Sequence, residues 1–499
     1  MDCHDPVRSY VIVGGGSAGW MTAALLSRLL QKTNTRITLV ESPDISTIGV
    51  GEATIPSFVD FLKILDISLS QFISHTNATF KLGIKFTGWQ SEGHSYWHPF
   101  GNIGARIDAQ PFFQQWLRAA FQQHAAAYTD YSPSAAMAQA HKFFIPDPAR
   151  PNNLTRMGYA LHFDAARAAD FFRDYATGYG VDHVVATVDE VRQTPEGNIC
   201  GLQLADGRVT EGEFFLDCTG QHALLIGRTL NVGYEDWSHY LPVNTAVVVQ
   251  SEPGPALPPY TEAMARSSGW QWRIPLQHRV GNGLVFCDHY CSAARAEQEL
   301  VASIAQPLTT APRLIRFTTG KRRAMWSGNC VAIGLSAGFL EPLESTSLYL
   351  IMRAILNLAK LLPRRTPCPY TAAAFNSLMD AEYEHIRDFI VMHYCTSRRD
   401  DSPFWRDWKA REIPASLKAT LGMYKNQGHL VTGERDLFAE DSWYAVLTGM
   451  GVLPADYDPR VDASDYPEVT GMLARINASL QHSVAQLRSH DAYLQELLQ

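Results

Sequence analysis

Four short patterns in this chain carry residue types that could do chemistry. The first is Gly14-Gly15-Gly16-Ser17-Ala18-Gly19, which follows the β-branched run Tyr10-Val-Ile-Val and opens a helical pattern through Ala23, Ala24, Leu25, Leu26, Leu29 and Leu30. Arg36-Ile-Thr-Leu-Val-Glu41 then reads as a second strand, ending in an acid about twenty residues past the last glycine. This is the arrangement that binds a dinucleotide. Gly14 permits a tight turn, Gly16 lets the backbone approach a pyrophosphate, and Gly19 lets helix and strand pack closely. The helix N-terminus faces the anion, and Glu41 accepts from a ribose diol. The second pattern is Lys81, flanked by apolar residues in Phe80-Lys81-Leu-Gly-Ile-Lys85-Phe86; read alone, such a lysine snorkels at the surface. The third is Trp270-Gln-Trp272, whose period of two puts both rings on one side of a strand, ordinarily for core packing. The fourth is Glu344, ahead of a helical stripe from Leu348 to Leu361 that Pro363 ends. Alone, Glu344 reads as an acid favoured by the helix dipole, and the free N–H groups of Thr346 and Ser347 form an anion site.

The elements that must position these residues are those of an α/β protein. Phe214-Phe-Leu-Asp217 and Val331-Ala-Ile each read as a strand running into glycine (Gly220, Gly334), and Asp206-Gly207 marks a hairpin. An α/β sheet places its ligand at such strand ends. From Glu344 onward the chain reads as mostly helical, with a terminal stripe of Leu473, Ile476, Leu480, Val484, Leu487, Leu494 and Leu498. Core packing is the expected use of that stripe, and a homodimer seam is the less favoured one.

Composition narrows the function classes. The 499 residues carry 42 Lys+Arg and 50 Asp+Glu, a net charge of −8, with 46% hydrophobic and 18% charged residues. That is a globular composition, not a disordered or collagenous one. The acidity argues against a nucleic-acid partner, and the basic spots Lys321–Arg323 and Arg398–Arg399 read as solvated faces. The 8 Cys are scattered, as in a reducing compartment. Cys287 and Cys291 lack a second pair at zinc spacing and read as buried strand cysteines, so no metal is expected. The N-terminal apolar run stops at glycines, and no later run reaches the ~18–20 residues that span a bilayer. The expected location is cytoplasmic, with no membrane partner.

Taken together, the motifs resemble the flavin-dependent tryptophan halogenases. Trp270-Gln-Trp272-Arg-Ile274-Pro275 matches that family's WxWxIP motif, the glycine cluster matches its GxGxxG, Gly49-Val-Gly51-Glu52-Ala53-Thr54-Ile55-Pro56 matches a further signature, and Phe339-Leu-Glu341-Pro-Leu-Glu344-Ser345-Thr346 matches its LEPLEST segment. The matches run from about residue 10 to about residue 455. The resemblance implies a Rossmann-like FAD-binding domain of the flavin monooxygenase type. It would occupy residues 1–365, interleaved with a β-sheet substrate region (about 80–110 and 240–320), and a mostly helical region, 366–499, would cover the substrate site. It also implies an enzyme in which reduced FAD, oxygen and chloride or bromide give hypohalous acid. Lys81 would hold or capture that oxidant, as a hydrogen-bonded acid or a haloamine, and Glu344 would lie beside the ring carbon under attack. An amine in an apolar pocket and a carboxylate beside a cationic ring intermediate suit those tasks.

Carried over position by position, Ser42, Ile48, Val50, Ala53, Leu335 and Leu348 join Gly14–Gly19 and Glu41 in lining the flavin. Thr346 and Ser347 hold the halide, Trp270 and Trp272 keep the organic substrate off the flavin, and His98 and Phe100 flank its ring. No nicotinamide domain is visible, so a separate flavin reductase is expected to supply reduced FAD by diffusion. Three departures stand out. Trp443-Tyr444 replaces a Tyr-Tyr pair near the amino-acid part of the substrate, the Tyr424–Trp443 stretch is short, and Ser347 stands in place of Gly. The first two imply that an indole derivative or a phenol is preferred to free tryptophan; the third leaves the halide open. A flavin-dependent hydroxylase and a non-catalytic flavin-binding relative are the competing readings.

Overall fold

A computed structural model describes residues 5–45, 51–366, 368–433 and 436–499. Its centre is a six-stranded sheet in the order Trp326–Ser327, Cys330–Ala332, Phe214–Asp217, Ser9–Val13, Arg36–Glu41, Asp182–Val185. All neighbours pair in parallel except the first two. The strand Ser9–Val13 is central and almost fully buried, which is why it is a run of β-branched residues. Helix Ser17–Leu30 follows it through the glycine turn.

A second sheet of seven strands joins two distant stretches of chain. Its order is Arg313–Arg316, Thr245–Ser251, Val280–Phe286, Gly269–Pro275, Thr261–Arg266, Gly83–Thr87, Ser95–Pro99. A third, small sheet pairs Ala160–Asp164 with Gly51–Ala53 and with Thr79–Lys81. The chain thus leaves Lys81 at the end of one strand and enters the next sheet two residues later. There Ile84 pairs with His98, so strand register ties the lysine to the histidine. From Pro369 on, the regular elements of the described residues are helical, led by the 27-residue helix Pro369–Cys395. One hydrophobic cluster runs through the parallel sheet, the second sheet and these helices.

The structure corrects three local expectations. The terminal stripe is two helices, Tyr466–Ala485 and His490–Leu497, because Ser489 caps a new start; Val469, Leu473, Leu480, Val484 and Leu494 pack into the core. Cys287 and Cys291 are buried just past the strand end at Phe286, not within it. The basic spots are not simple solvated faces. Lys321 is buried, with its amine 2.6 Å from Asp380 and 3.4 Å from Glu235, and Arg399 pairs with Asp401 over the Trp405 ring. Once a chain folds, a buried cation must be paired. Among the described residues no group of three or more metal-ligating side chains exists, and no helix is long and apolar enough to cross a membrane.

The glycine turn yields a stability prediction. A Cβ on Gly19 would lie 1.8 Å from the Gly14 carbonyl oxygen, a backbone atom with little room to retreat. Gly19→Ala is expected to cost about 1–3 kcal/mol, or more if the turn cannot shift. Thermal unfolding measures it, and an unchanged midpoint would show that helix and strand are not in close contact.

Candidate active site

A cavity of about 700 Å³ opens where the parallel strands end. Gly14, Gly15, Gly16, Ser17, Ala18, Glu41, Ser42, Ala53, Leu335 and Leu348 line it. Gly19 lies behind the turn against Gly14, and Ile48 and Val50 fall outside the described residues. Gly14 takes φ +112°, a conformation open only to glycine, and its missing Cβ makes room for the Cys218 carbonyl. Nothing lies within 4 Å of a Cβ built on Gly16, at the head of the 14-residue helix. The cradle therefore fits a pyrophosphate: exposed backbone, a helix N-terminus, and a mostly apolar cavity of ligand size beyond it. The Glu41 carboxylate reaches the cavity while taking a hydrogen bond from His183 at 2.9 Å.

Trp270 and Trp272 form part of the far wall, with ring centroids 5.9 Å apart. Trp272 lies over Gly283 of the paired strand, where a Cβ would sit 2.1 Å from the indole. The Trp270 N–H donates to Glu341 Oε1 at 3.2 Å, whereas the buried Trp272 N–H has no partner.

The next turn links the cavity wall to Lys81. Pro342–Glu344 is one turn of 3₁₀ helix, Ser345 takes φ +59°, and helix Ser347–Lys360 begins two residues on. A non-glycine residue in the left-handed region costs of order 1–3 kcal/mol and needs support from its surroundings. Lys81 supplies some of it. Its Nζ donates to Ser345 Oγ and to the Thr54 carbonyl, both at 2.9 Å, and lies 5.1 Å from the centre of the Phe100 ring. Ser345 and Ser347 line the cavity; Lys81 and Thr346 do not, and the buried Thr346 Oγ1 has no partner. Lys81 is wholly buried, and that burial pulls its amine from 10.5 down to about 7, with the charge of Glu344 acting the other way. Lys85 is only half-buried, over the Trp97 ring.

Glu344 is buried between two histidines. His98 Nδ1 donates to Oε2 at 2.8 Å, and His393 Nε2 lies 2.7 Å from Oε1. The His393 contact is close but not aligned as a hydrogen bond, so Glu344 Oε1 and His393 Nε2 have no hydrogen-bond partner, and on its other side His393 Nδ1 is hydrogen-bonded to the Tyr96 hydroxyl at 2.9 Å. Burial pushes the Glu344 carboxyl up, but the charge and hydrogen bond of His98 and the close approach of His393 outweigh it and hold the group below the ordinary carboxylate range. The same burial lowers the tendency of His393 to take up a second proton, with the nearby Glu344 acting the other way.

Beyond these imidazoles lies an aromatic cluster centred on Phe389. Phe438 stacks on it at 3.8 Å, Trp443 meets it edge-on at 5.1 Å, and His98 and His393 stand 5.4 and 5.5 Å away. The Trp443 indole N–H is buried without a partner. Of the residues singled out in the sequence, Lys81, His98, Phe100 and Glu344 come together, and Trp443 joins them through Phe389. Ser345, His393, Tyr96, Phe389 and Phe438 were not foreseen. Phe389 and His393 are four apart on one helix face, which is the only signal the sequence offered for them.

Fold and site together define an α/β protein with a dinucleotide-type cavity and, beside that cavity, a buried amine and a buried carboxylate that do not line it. The tryptophan halogenase family profile matches residues 9–466. Tryptophan 6-halogenase SttH of Streptomyces toxytricini is 34% identical over 91% of each chain. Tryptophan 7-halogenase RebH of Lentzea aerocolonigenes is 33% identical over 90% of this chain and 91% of its own. The structure of BrvH, a flavin-dependent halogenase from Brevundimonas sp. BAL3, matches with a TM-score of 0.95 and 41% identity, over 98% of this chain and 99% of that one. The chain belongs to the tryptophan halogenase family. It is an FAD-dependent enzyme that halogenates an aromatic compound with reduced flavin and halide.

The depressed Lys81 amine has a consequence for stability. Between pH 7 and 10.5 the folded protein holds this lysine neutral while the unfolded chain protonates it, so unfolding takes up a proton. Wild-type stability relative to Lys81→Met should rise with pH across that window, by about 1.4 kcal/mol per unit at most. Paired unfolding curves from pH 7 to 9 measure it, and a flat difference would mean that the buried lysine keeps its charge.

Proposed function

We propose that this enzyme halogenates an indole derivative or another electron-rich aromatic in preference to free tryptophan, with Lys81 holding the oxidised halogen and Glu344 beside the ring carbon. The observation that carries this reading is the placement of the Lys81 amine. It is bonded to Ser345, which lines the cavity, and lies against Phe100, next to the Glu344 cluster. Bound reduced FAD, with oxygen and halide, supplies the hypohalous acid. Gly14–Gly19, Glu41, Ser42, Ile48, Val50, Ala53, Leu335 and Leu348 would hold the cofactor. The free N–H groups of Thr346 and Ser347 would hold the halide.

The remaining steps are the work of this chain's own side chains. Trp270 and Trp272 bar the organic substrate from the cavity. Lys81, as a donor, holds the acid by its oxygen while His98 and Phe100 flank the ring. With Lys81 in its ammonium form, which is populated at pH 7 and below, the ring carbon takes the halogen, the departing hydroxide takes a proton from the ammonium and leaves as water, and the ring proton passes to Glu344. An ionised carboxylate fixed by two imidazoles is placed to stabilise the cationic ring before it takes that proton. Lys81→Met should abolish halogenation while oxidation of reduced flavin continues, read by product mass and by oxygen uptake; halogenation near the wild-type rate would overturn the assignment.

We further place the division of the chain at 365/366, with the helical part over the substrate region, the reaction in the cytoplasm, and the supply of reduced FAD with a separate reductase. The substrate class follows from what surrounds Glu344. Free tryptophan brings an ammonium and a carboxylate, and each would need a partner once buried. The rings packed on Phe389 are Phe438, Trp443 and the imidazoles of His98 and His393, and His385, whose Nε2 is buried without a partner, packs on Phe438 and Trp443 as a polar group that could meet at most one end of an amino acid. Indole should therefore be turned over in preference to free tryptophan in a direct competition with chloride and with bromide. An advantage to tryptophan of more than about tenfold in kcat/KM would require polar partners outside this cluster.

A further inference from the structure

Glu341 stands three residues before Glu344, is fully buried, and has no part in the reaction above. Its Oε1 accepts two hydrogen bonds, from the Tyr394 hydroxyl at 2.6 Å and from the Trp270 indole at 3.2 Å, while Oε2 has no partner. Tyr394 follows His393 in the long helix. Two consecutive helix residues thus grip two acids of a single turn: His393 touches Glu344, and Tyr394 holds Glu341. The tyrosine is itself stacked on Trp408 at 4.7 Å and packed edge-on against Trp89, which leaves it little freedom.

The two acids have opposite surroundings. Glu344 is paired with imidazoles. Glu341 faces only the Trp270 indole from its strand and Tyr394 from the helix, with Cys287 behind the tyrosine, and no cationic side chain among the described residues contributes to its titration. Burial pushes its carboxyl up to about 8, with the bonds from Tyr394 and Trp270 acting the other way. At neutral pH the group is a neutral acid, and its ionisation would leave a buried charge without a partner. Acids driven apart in this way have different tasks.

We propose that Glu341 is a positioning residue that works as a neutral acid, setting the Trp270 barrier through the indole N–H and, through Tyr394, the helix register that brings His393 onto Glu344. One residue then governs both whether oxidant is retained and whether the carboxylate is aimed. Loss of the acceptor frees the Trp270 ring and loosens the turn. Oxidant then escapes to solvent while flavin oxidation continues at its former rate. The inference rests on the roles proposed above for Trp270, Lys81 and Glu344.

The test measures aromatic product formed per reduced flavin oxidised, together with halogenation of a soluble trap added to capture escaped oxidant. Glu341→Gln keeps the neutral acceptor and should retain this ratio within about twofold at pH 7, whereas Glu341→Leu, of similar size without the acceptor, should lower it about tenfold and raise the trapped fraction. From pH 7 to 9 the wild-type ratio should fall relative to Glu341→Gln by about fivefold or more, because ionised Glu341 keeps its two bonds but, with no cation to pair it, draws water in beside Trp270; the titration of Lys81 is common to both and cancels. If Glu341→Leu does not fold, the wild-type to Gln comparison decides alone. A flat comparison, or a folded Glu341→Leu with the wild-type ratio, overturns the proposal. Lys81→Met, run in parallel, separates the two readings: if it still halogenates, the proposed reaction path falls, and if it does not while Glu341→Leu behaves as wild type, only the role of Glu341 falls.

Discussion

The site depends on one buried charge. Glu344 is ionised in an interior where an unpaired carboxylate would cost several kcal/mol, and two imidazoles make it tolerable. Each imidazole comes from a different part of the fold. His98 is carried by the edge strand of the seven-stranded sheet, and His393 by the last turn of a helix that begins at Pro369. The carboxylate can stay charged only if strand, turn and helix all dock, so the requirement to pair it fixes how the helical part closes on the sheets.

The chain from Gly338 to Leu348 serves both sides of the wall. Gly338, Phe339, Leu340, Pro342, Leu343, Ser345, Ser347 and Leu348 line the cavity, whereas Glu344 turns the other way. A regular helix or strand would not divide its side chains like this over so few residues. One turn of 3₁₀ helix followed by a left-handed serine does so, and the Lys81 bond to Ser345 helps to secure the strained position. The turn thus presents Ser345 and Ser347 to the cavity that Trp270 and Trp272 also line, and Glu344 to the imidazoles behind it.

Much of the fold was legible because it is local. The strand Ser9–Val13, the glycine turn, the helix after it and the acid at Glu41 are neighbours in sequence, and their spacing dictates backbone geometry directly. The hairpin at Asp206-Gly207 joins strands Ile199–Leu204 and Val209–Glu211 for the same reason, with Gly207 at positive φ. Lys81, His98, Phe100 and Glu344 were identified by motif resemblance, and the structure brings them within reach of one another. Where local pattern misled, tertiary pairing decided otherwise: Lys321 carries no apolar signature, yet it is buried because Asp380 and Glu235 converge on it.

The sequence by itself determined the class of fold and the dinucleotide cradle, since these are written in the spacing of adjacent residues, whereas the lysine, the carboxylate and the tryptophan pair were singled out only by resemblance to a family's motifs. Only the tertiary structure decided which groups face them. A histidine on an apolar helix looks like any other buried histidine until Glu344 is found 2.7 Å away, and Glu341 looks like a second copy of Glu344 until Tyr394 and Trp270 are seen to hold it without a cation. Charge state and orientation are set by neighbours that lie tens to hundreds of residues away along the chain. The packing of whole elements, not any local pattern, places those neighbours.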